Sequence, residues 1–314
     1  MRVLTWHVHG SYLAALAQVP VDWLLPVTPD RGEGYGGRTS SYRWPDNVHE
    51  VDAGAVADLD VDVVLTQSRR NWDTDRHRLL SPDRLTAIPA VHLEHDPPQA
   101  WPNDALHPVQ DEAALLVHVT PFNALMWDPG VTPTAVVEHG ALVPPGLAWT
   151  GELERGVTVV NNLTRRGRRL GADVFARLAA EIPLDLYGIN AADLPQGVDS
   201  LDHATLHARL PAYRFLLNPI RYTSLGLAVV EAMTLGLPVL GLATTEMATA
   251  VRNGVNGYVE TDPARLLAHA RRLLQDHDEA AELSVGARKV AAERFGMDRF
   301  AAEWIDLLHR VGPS

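Results

Sequence analysis

The stretch Ser224-Leu225-Gly226-Leu227-Ala228-Val229-Val230-Glu231-Ala232-Met233-Thr234-Leu235-Gly236-Leu237-Pro238-Val239 reads as a loop, a helix and the start of a buried strand. Gly226 stands where a backbone can approach a ligand closely, and Gly236 with Pro238 stops the helix. One acid, Glu231, interrupts an otherwise apolar run. Ser224 and Glu231 are seven residues apart, which after nearly two helical turns returns them to one face. A helix entered through small residues offers free N–H groups to an anion. A carboxylate further down that face can accept hydrogen bonds from hydroxyls. Together they suit a nucleotide-linked ligand, phosphates at the helix start and ribose at the acid. The alternative is a core helix with one satisfied glutamate.

The rest of the chain bounds what surrounds this stretch. At 314 residues it is long enough for two ordinary domains. A net charge of −12 argues against general nucleic-acid binding and against docking on anionic lipid. There is no cysteine, which excludes disulfides and thiolate chemistry and fits a reducing cytoplasm. Met1-Arg2-Val3-Leu4-Thr5-Trp6 reads as a strand rather than a leader, and no run approaches the ~18 apolar residues of a membrane span. Lys289 is the only lysine, so any phosphate clamp must use arginine, histidine or backbone N–H. Oligomeric state is left open.

Short apolar runs alternate with helical stretches, the pattern of parallel α/β sheets. Strands are expected near 3–6, 21–27, 61–66, 90–93, 115–119 and 135–138, with a helix near 12–18. The glycine-rich excursion from Thr28 to Asn47 is long enough to be functional, and it carries Tyr35, Arg38, Tyr42, Arg43 and Trp44 as candidate acceptor contacts. The Pro/Gly stretch 142–147 reads as a linker. A second series follows, with strands near 157–161, 184–187, 215–218, 238–242 and 257–260. Asp262 caps a helix with Pro263 at its first position, and a last helix runs from about 298 to 310. Two Rossmann-like halves imply ligand binding beyond the carboxyl ends of their strands. There stand His7, His9 and Gly10, then His92, Glu94, His95 and Asp96, and then His139 and Gly140.

Three clusters carry candidate chemistry. His7-Val8-His9 and His92-Leu93-Glu94-His95-Asp96 imitate metal-ligand spacings, but in an extended segment His92 and His95 do not share a face, and no metal site is assigned. Asp73-Thr74-Asp75 stands among Arg69, Arg70, Arg76 and Arg78, and a salt-bridged helix start explains it as well as a metal pair does. Arg165-Arg166-Gly167-Arg168-Arg169 follows the first strand of the second half through Asn161 and Asn162, a placement that fits diphosphate binding. The fingerprints of nicotinamide, flavin or ATP sites and of serine hydrolases are absent.

The opening stretch resembles the donor-site signature of retaining GT-B glycosyltransferases of family 4 (group 1). Asn253-Gly254-Val255-Asn256-Gly257-Tyr258-Val259 resembles the turn that follows it there, and Val136-Val137-Glu138-His139-Gly140 the end of that family's N-terminal domain. The resemblance implies an N-terminal acceptor domain over 1–145, a donor domain over 146–297 and a helix over 298–314 that packs back on the first domain. The two domains would face each other across a cleft. It implies that Glu231 holds the nucleoside ribose and that Thr223, Ser224, Leu225, Gly226 and Leu227 line the donor. Thr223 stands where the family has a first acid, which departs from the pattern. The diphosphate would fall to Arg165, Arg166 or Arg169 with Asn162 nearby, Arg166 doubling as a catalytic cation. His95 and Asp96 would orient the acceptor hydroxyl, with His9, Gly10, Tyr35 and Arg38 as acceptor contacts.

Three functions follow in order of preference. The first is a cytoplasmic, metal-independent retaining transferase that uses a nucleotide-diphosphate sugar, needs no further cofactor and acts on a small molecule or glycan. The second, raised by Thr223, is a non-catalytic nucleotide-sugar binding or partner subunit. The third is a metal-dependent hydrolase or isomerase built on the histidines.

Overall fold

The structure is a computed structural model, described over residues 1–198 and 201–312. The chain divides into two compact units, Met1–Gly140 together with the segment from Met297 onward, and Ala141–Gly296. The joint therefore falls just ahead of the Pro144-Pro145-Gly146 stretch.

The first unit is built on seven parallel strands: β1 (Arg2–Thr5), β2 (Asp22–Val27), β3 (Val48–Asp52), β4 (Val63–Thr66), β5 (Ala90–Glu94), β6 (Ala114–His118) and β7 (Thr134–Val136). Their order is β3-β2-β1-β4-β5-β6-β7, with every neighbouring pair parallel. Central strand β4 is buried along its whole length and β1 at every residue but Arg2, as strands covered on both faces must be. The edge strand β3 is not expected from the sequence. Val48-His49-Glu50-Val51-Asp52 carries polar side chains, and it becomes a strand by pairing with β2, Trp23 against Val48 through Val27 against Asp52. The 28–47 excursion is the connection between those two strands. It is pinned by bridges from Gly34 to His7 and from Gly36 to Val27.

The last helix, Met297–Val311, belongs to this first unit and buries Phe300, Trp304, Leu307 and Leu308. Trp304 Nε1 donates to the Tyr12 hydroxyl at 3.3 Å, and Phe300 packs edge-on against the Tyr12 ring. Gly140 permits this approach: a Cβ there would stand 2.6 Å from Phe300 Cγ. Arg299 binds the helix to the strand-end loop through the carbonyls of Glu138 and His139.

The second unit has five parallel strands: β8 (Leu153–Val159), β9 (Leu184–Tyr187), β10 (Tyr213–Asn218), β11 (Val239–Leu242) and β12 (Gly257–Glu260), ordered β12-β11-β10-β8-β9. The helix of the opening stretch spans Leu227–Leu235, ended by Gly236 at φ 94°. It buries Val229, Val230, Ala232, Met233 and Leu235 against the sheet. The nineteen-residue helix His277–Phe295 is not expected from the sequence. Its buried face is Ala280, Leu283, Ser284, Ala287, Ala291 and Phe295, spaced for a helix but mostly small, which mutes the hydrophobic signal. As expected, Asp262 caps its neighbour by accepting from the Ala264 N–H. No helix among the described residues is long and apolar enough to cross a membrane.

Candidate functional site

In the second unit the helix starts at Leu227, with Gly226 as an extended N-cap and no side chain capping it. This corrects one expectation. Ser224 lies ahead of the helix, buried, and does not share a helical face with Glu231. Leu225 is buried in the core, while Gly226 borders open space, with nothing within 4 Å of where a Cβ would stand. Thr223 is half-buried directly before Ser224.

Folding brings the arginine loop to the segment that leads into this helix. The Arg169 carbonyl accepts N–H bonds from Arg221 at 2.9 Å and Tyr222 at 3.3 Å. Asp173 then clamps both sides, taking Arg168 at 2.7 Å and both terminal nitrogens of Arg221. That fork holds the Asp173 carboxyl at about 2, chiefly through the Arg221 hydrogen bonds. Arg165 reaches Asp193 at 3.5 Å. Among the described residues no carboxylate pairs with Arg166 or Arg169. Asn162 is held at φ 57° with its Oδ1 accepting from Asn190 at 2.5 Å, which shapes the loop from which the arginines project. Two uncommitted guanidiniums and an uncapped helix start on joined segments make a cationic, donor-rich surface suited to an anion. Arg221 and Asp173 are the members that sequence reading missed. Nothing in their local pattern announces them, since their pairing spans two loops.

Glu231 is buried, and it is not bare. His203 Nε2 lies 3.0 Å from Oε1 and His207 Nε2 lies 3.3 Å from Oε2. Burial alone would raise this carboxyl; contact with the two imidazoles outweighs burial and holds it at about 2. His203 and His207 come from the short helix His203–Arg209, capped by Asp202. Their i, i+4 spacing is the one signal in the sequence that would have found them.

The first unit gathers its strand-end histidines around Tyr12. The His95 ring lies 4.0 Å from that of His9, tilted, and 4.8 Å from that of Tyr12, edge-on, and His139 packs edge-on against the Tyr12 ring as well. Gln67 commits its amide nitrogen to Thr5 and to the Trp6 carbonyl, which turns Oε1 toward His95 Nε2 at 3.3 Å. On this network Nε2 carries the hydrogen and Nδ1 is the basic nitrogen. Burial, with His9, His139 and His92 around it, pushes the imidazole well below its ordinary value, so it is neutral near pH 7. Asp96 takes the Trp127 indole N–H on its carbonyl at 2.9 Å, which fixes the backbone beyond β5. His92 points elsewhere, to Thr66 at 2.8 Å, as an extended strand requires.

Other expectations change. Tyr35 is a core residue, its hydroxyl donating to Asp75 at 3.1 Å, so its side chain is not placed to grip an acceptor. Arg38 is exposed, and its backbone N–H is held by Glu50. Gly10 sits under the Tyr42 ring, which would have to shift to admit a side chain there. Asp73 pairs with Arg69, and Asp75 is buried on Asn71 and Tyr35, as a salt-bridged helix start requires.

Known proteins resemble this chain in part of its sequence and in its fold. Residues 159–276, all in the second unit, match the family described as Glycosyl transferases group 1. A D-inositol 3-phosphate glycosyltransferase from Thermobispora bispora is 36% identical over 104 residues, covering 30% of this chain and 24% of the relative. One from Catenulispora acidiphila is 40% identical over 83 residues, covering 26% and 20%. The chain thus spans about a quarter or less of the length of these relatives. Among solved structures, sucrose-phosphate synthase from Thermosynechococcus elongatus superposes with a TM-score of 0.69 at 15% identity, covering 99% of this chain and 98% of that one. HepE from Anabaena in complex with UDP superposes at 0.67 and 14%, covering 99% and 100%. The fold is therefore GT-B, an α/β architecture of two parallel-sheet units, and the family match supports a group 1 glycosyltransferase domain in the second of them.

Proposed function

We propose that this protein is a glycosyltransferase that moves a sugar from a nucleotide-diphosphate donor to an acceptor hydroxyl, with retention and without a required metal or other cofactor. One observation carries the reading. The arginine loop is hydrogen-bonded to the segment entering the uncapped Leu227–Leu235 helix, and among the described residues Arg166 and Arg169 have no carboxylate partner. Arg166, Arg169 and the helix N–H groups would stabilise the departing nucleoside diphosphate, where charge builds as the glycosidic bond breaks. Glu231 would take the ribose hydroxyls on lone pairs that its histidines do not use. In the first unit, neutral His95, with Nδ1 as the basic nitrogen, would orient the acceptor hydroxyl or take its proton, with Asp96 and His9 beside it. The cysteine-free composition fits a cytoplasmic setting.

HepE has been solved with UDP and with UDP-glucose, so uridine donors are the first to test. The experiment is calorimetric titration with UDP and UDP-glucose, then with the guanosine and adenosine counterparts, on wild type and on Arg169→Ala. One nucleotide should bind, and losing a charge-assisted contact of about 1.5–3 kcal/mol should weaken it by roughly ten- to a hundredfold. Absence of binding by every nucleoside diphosphate would sink the reading. Thr223, in place of an acid, favours a second reading as a binding subunit. Donor binding without release of nucleotide across an acceptor panel would select it.

A further inference from the structure

We infer that His203, His207 and Glu231 form a binding site for a divalent cation of the zinc type. The three ligand atoms lie within 4.8 Å of one another. His203 Nε2 stands 3.0 Å from Oε1 and His207 Nε2 3.3 Å from Oε2, so each imidazole is about one tetrahedral edge (~3.3 Å for ligands 2.0–2.1 Å from zinc) from its own oxygen of the same carboxylate. Two histidines at i, i+4 aim Nε2 at one carboxylate, a two-nitrogen, one-oxygen set that suits a borderline-soft cation and leaves one position open.

The second observation is His207 itself. It is fully buried, neither ring nitrogen meets hydrogen-bond geometry, and its polar partner is the Glu231 carboxylate, with Nε2 at ion-pair distance, 3.3 Å, from Oε2. A buried imidazole that orders no hydrogen bond loses the full cost of its desolvation. A cation on Nε2 would use the lone pair that protein groups leave idle. His203, half-buried, opens the site to solvent on one side and provides an entry path.

The histidine cluster in the first unit lacks this feature. His107 Nδ1 accepts the Val109 N–H at 3.1 Å, so its Nε2 carries the hydrogen and donates to Glu94 at 3.2 Å. Glu94 also holds the Asp96 N–H, and His92 Nδ1 is engaged by Thr66. His92, Glu94 and His107 are satisfied by each other and by the protein.

A consequence rests on the donor reading above. Glu231 cannot serve a cation and a ribose at once without loss, so zinc and nucleotide compete. The test uses the full chain, freed of metal and equilibrated with buffered Zn²⁺. About one zinc should bind, with Co²⁺ in its place giving the visible absorption of a four-coordinate site. His203→Gln and His207→Gln should each abolish it, because a direct ligand is worth more than the ~10–100-fold that an outer-shell group contributes. Glu94→Gln, which disarms the rival cluster, should keep it. Circular dichroism without metal reports whether each variant is folded, and half-exposed His203→Gln carries the test if the buried variant does not fold. No bound zinc in the wild type, or zinc retained in folded His203→Gln, overturns the site. With both partners binding, the nucleotide Kd at saturating free zinc should rise more than about tenfold in wild type and stay unchanged in His203→Gln; an unchanged wild-type Kd overturns the competition. If no nucleotide binds while zinc does, the donor reading fails and the metal site stands.

Discussion

The two units use most of their buried histidines differently. In the first, His92, His95, His107, His118 and His139 crowd together with Tyr12, Trp72 and Trp127, and burial drives His92 to about 3 and His118 to about 4. In the second, His203 and His207 close on Glu231, and His269 on Glu260 at 3.1 Å. Apart from His107 on Glu94, and His49 on Asp22 at the surface, the first unit's buried histidines serve as packing groups among aromatic rings, whereas His203, His207 and His269 of the second are carboxylate partners. What decides between them is whether an acid is carried into the same space.

The largest effect should come from the aromatic support of the first cluster. Trp304→Ala removes a fully buried indole and the donor to Tyr12. It should cost about 3–5 kcal/mol in denaturant unfolding and loosen the His95 pocket, read as a shift of the His95 ring resonances. If the loss is under ~1 kcal/mol, the last helix is not what holds Tyr12 against His95.

Next comes acid sensitivity. The folded His92 and His118 lie below the unfolded value near 6.5, so the unfolded chain binds protons first as pH falls. Their contribution is intact above about pH 6.5 and is lost progressively toward 4 and 3. Between pH 7.5 and pH 5 each should cost about 2 kcal/mol, and His92→Gln should remove its share of that slope. An imidazole of His92 that titrates near 6.5 by NMR would erase the contrast between the units.

The smallest effect should be Asp173→Asn. Its arginine fork is partly exposed, which screens the pairs, so stability should fall by under ~1 kcal/mol. Nucleotide affinity is the sharper readout, because this carboxylate ties the arginine loop to the segment before Leu227. An unchanged nucleotide Kd would show that the loop is positioned by the Arg169 carbonyl alone.

Much of the fold was legible. Apolar runs, the Asp262 cap and the Gly236 stop are local matters of backbone geometry and burial, and each stands where its chemistry requires. The edge strand 48–52 and the helix 277–295 were not, because one is made by its neighbour and the other buries alanines rather than leucines. Of the site, the Ser224–Val239 stretch and the arginine cluster could be read, since glycine, charge and spacing mark them without a partner. Tyr35 looked like a surface grip and is core, because its hydroxyl finds Asp75 forty residues away.

The sequence by itself determined two α/β units, a glycine-led helix with one buried acid, and an arginine loop after a strand, all properties of neighbouring residues. Only the tertiary structure decided what touches Glu231. The His203–His207 spacing is local, but the carboxylate between those rings comes from another helix. A pairing of that kind depends on where two helices settle on one sheet, not on the composition of either.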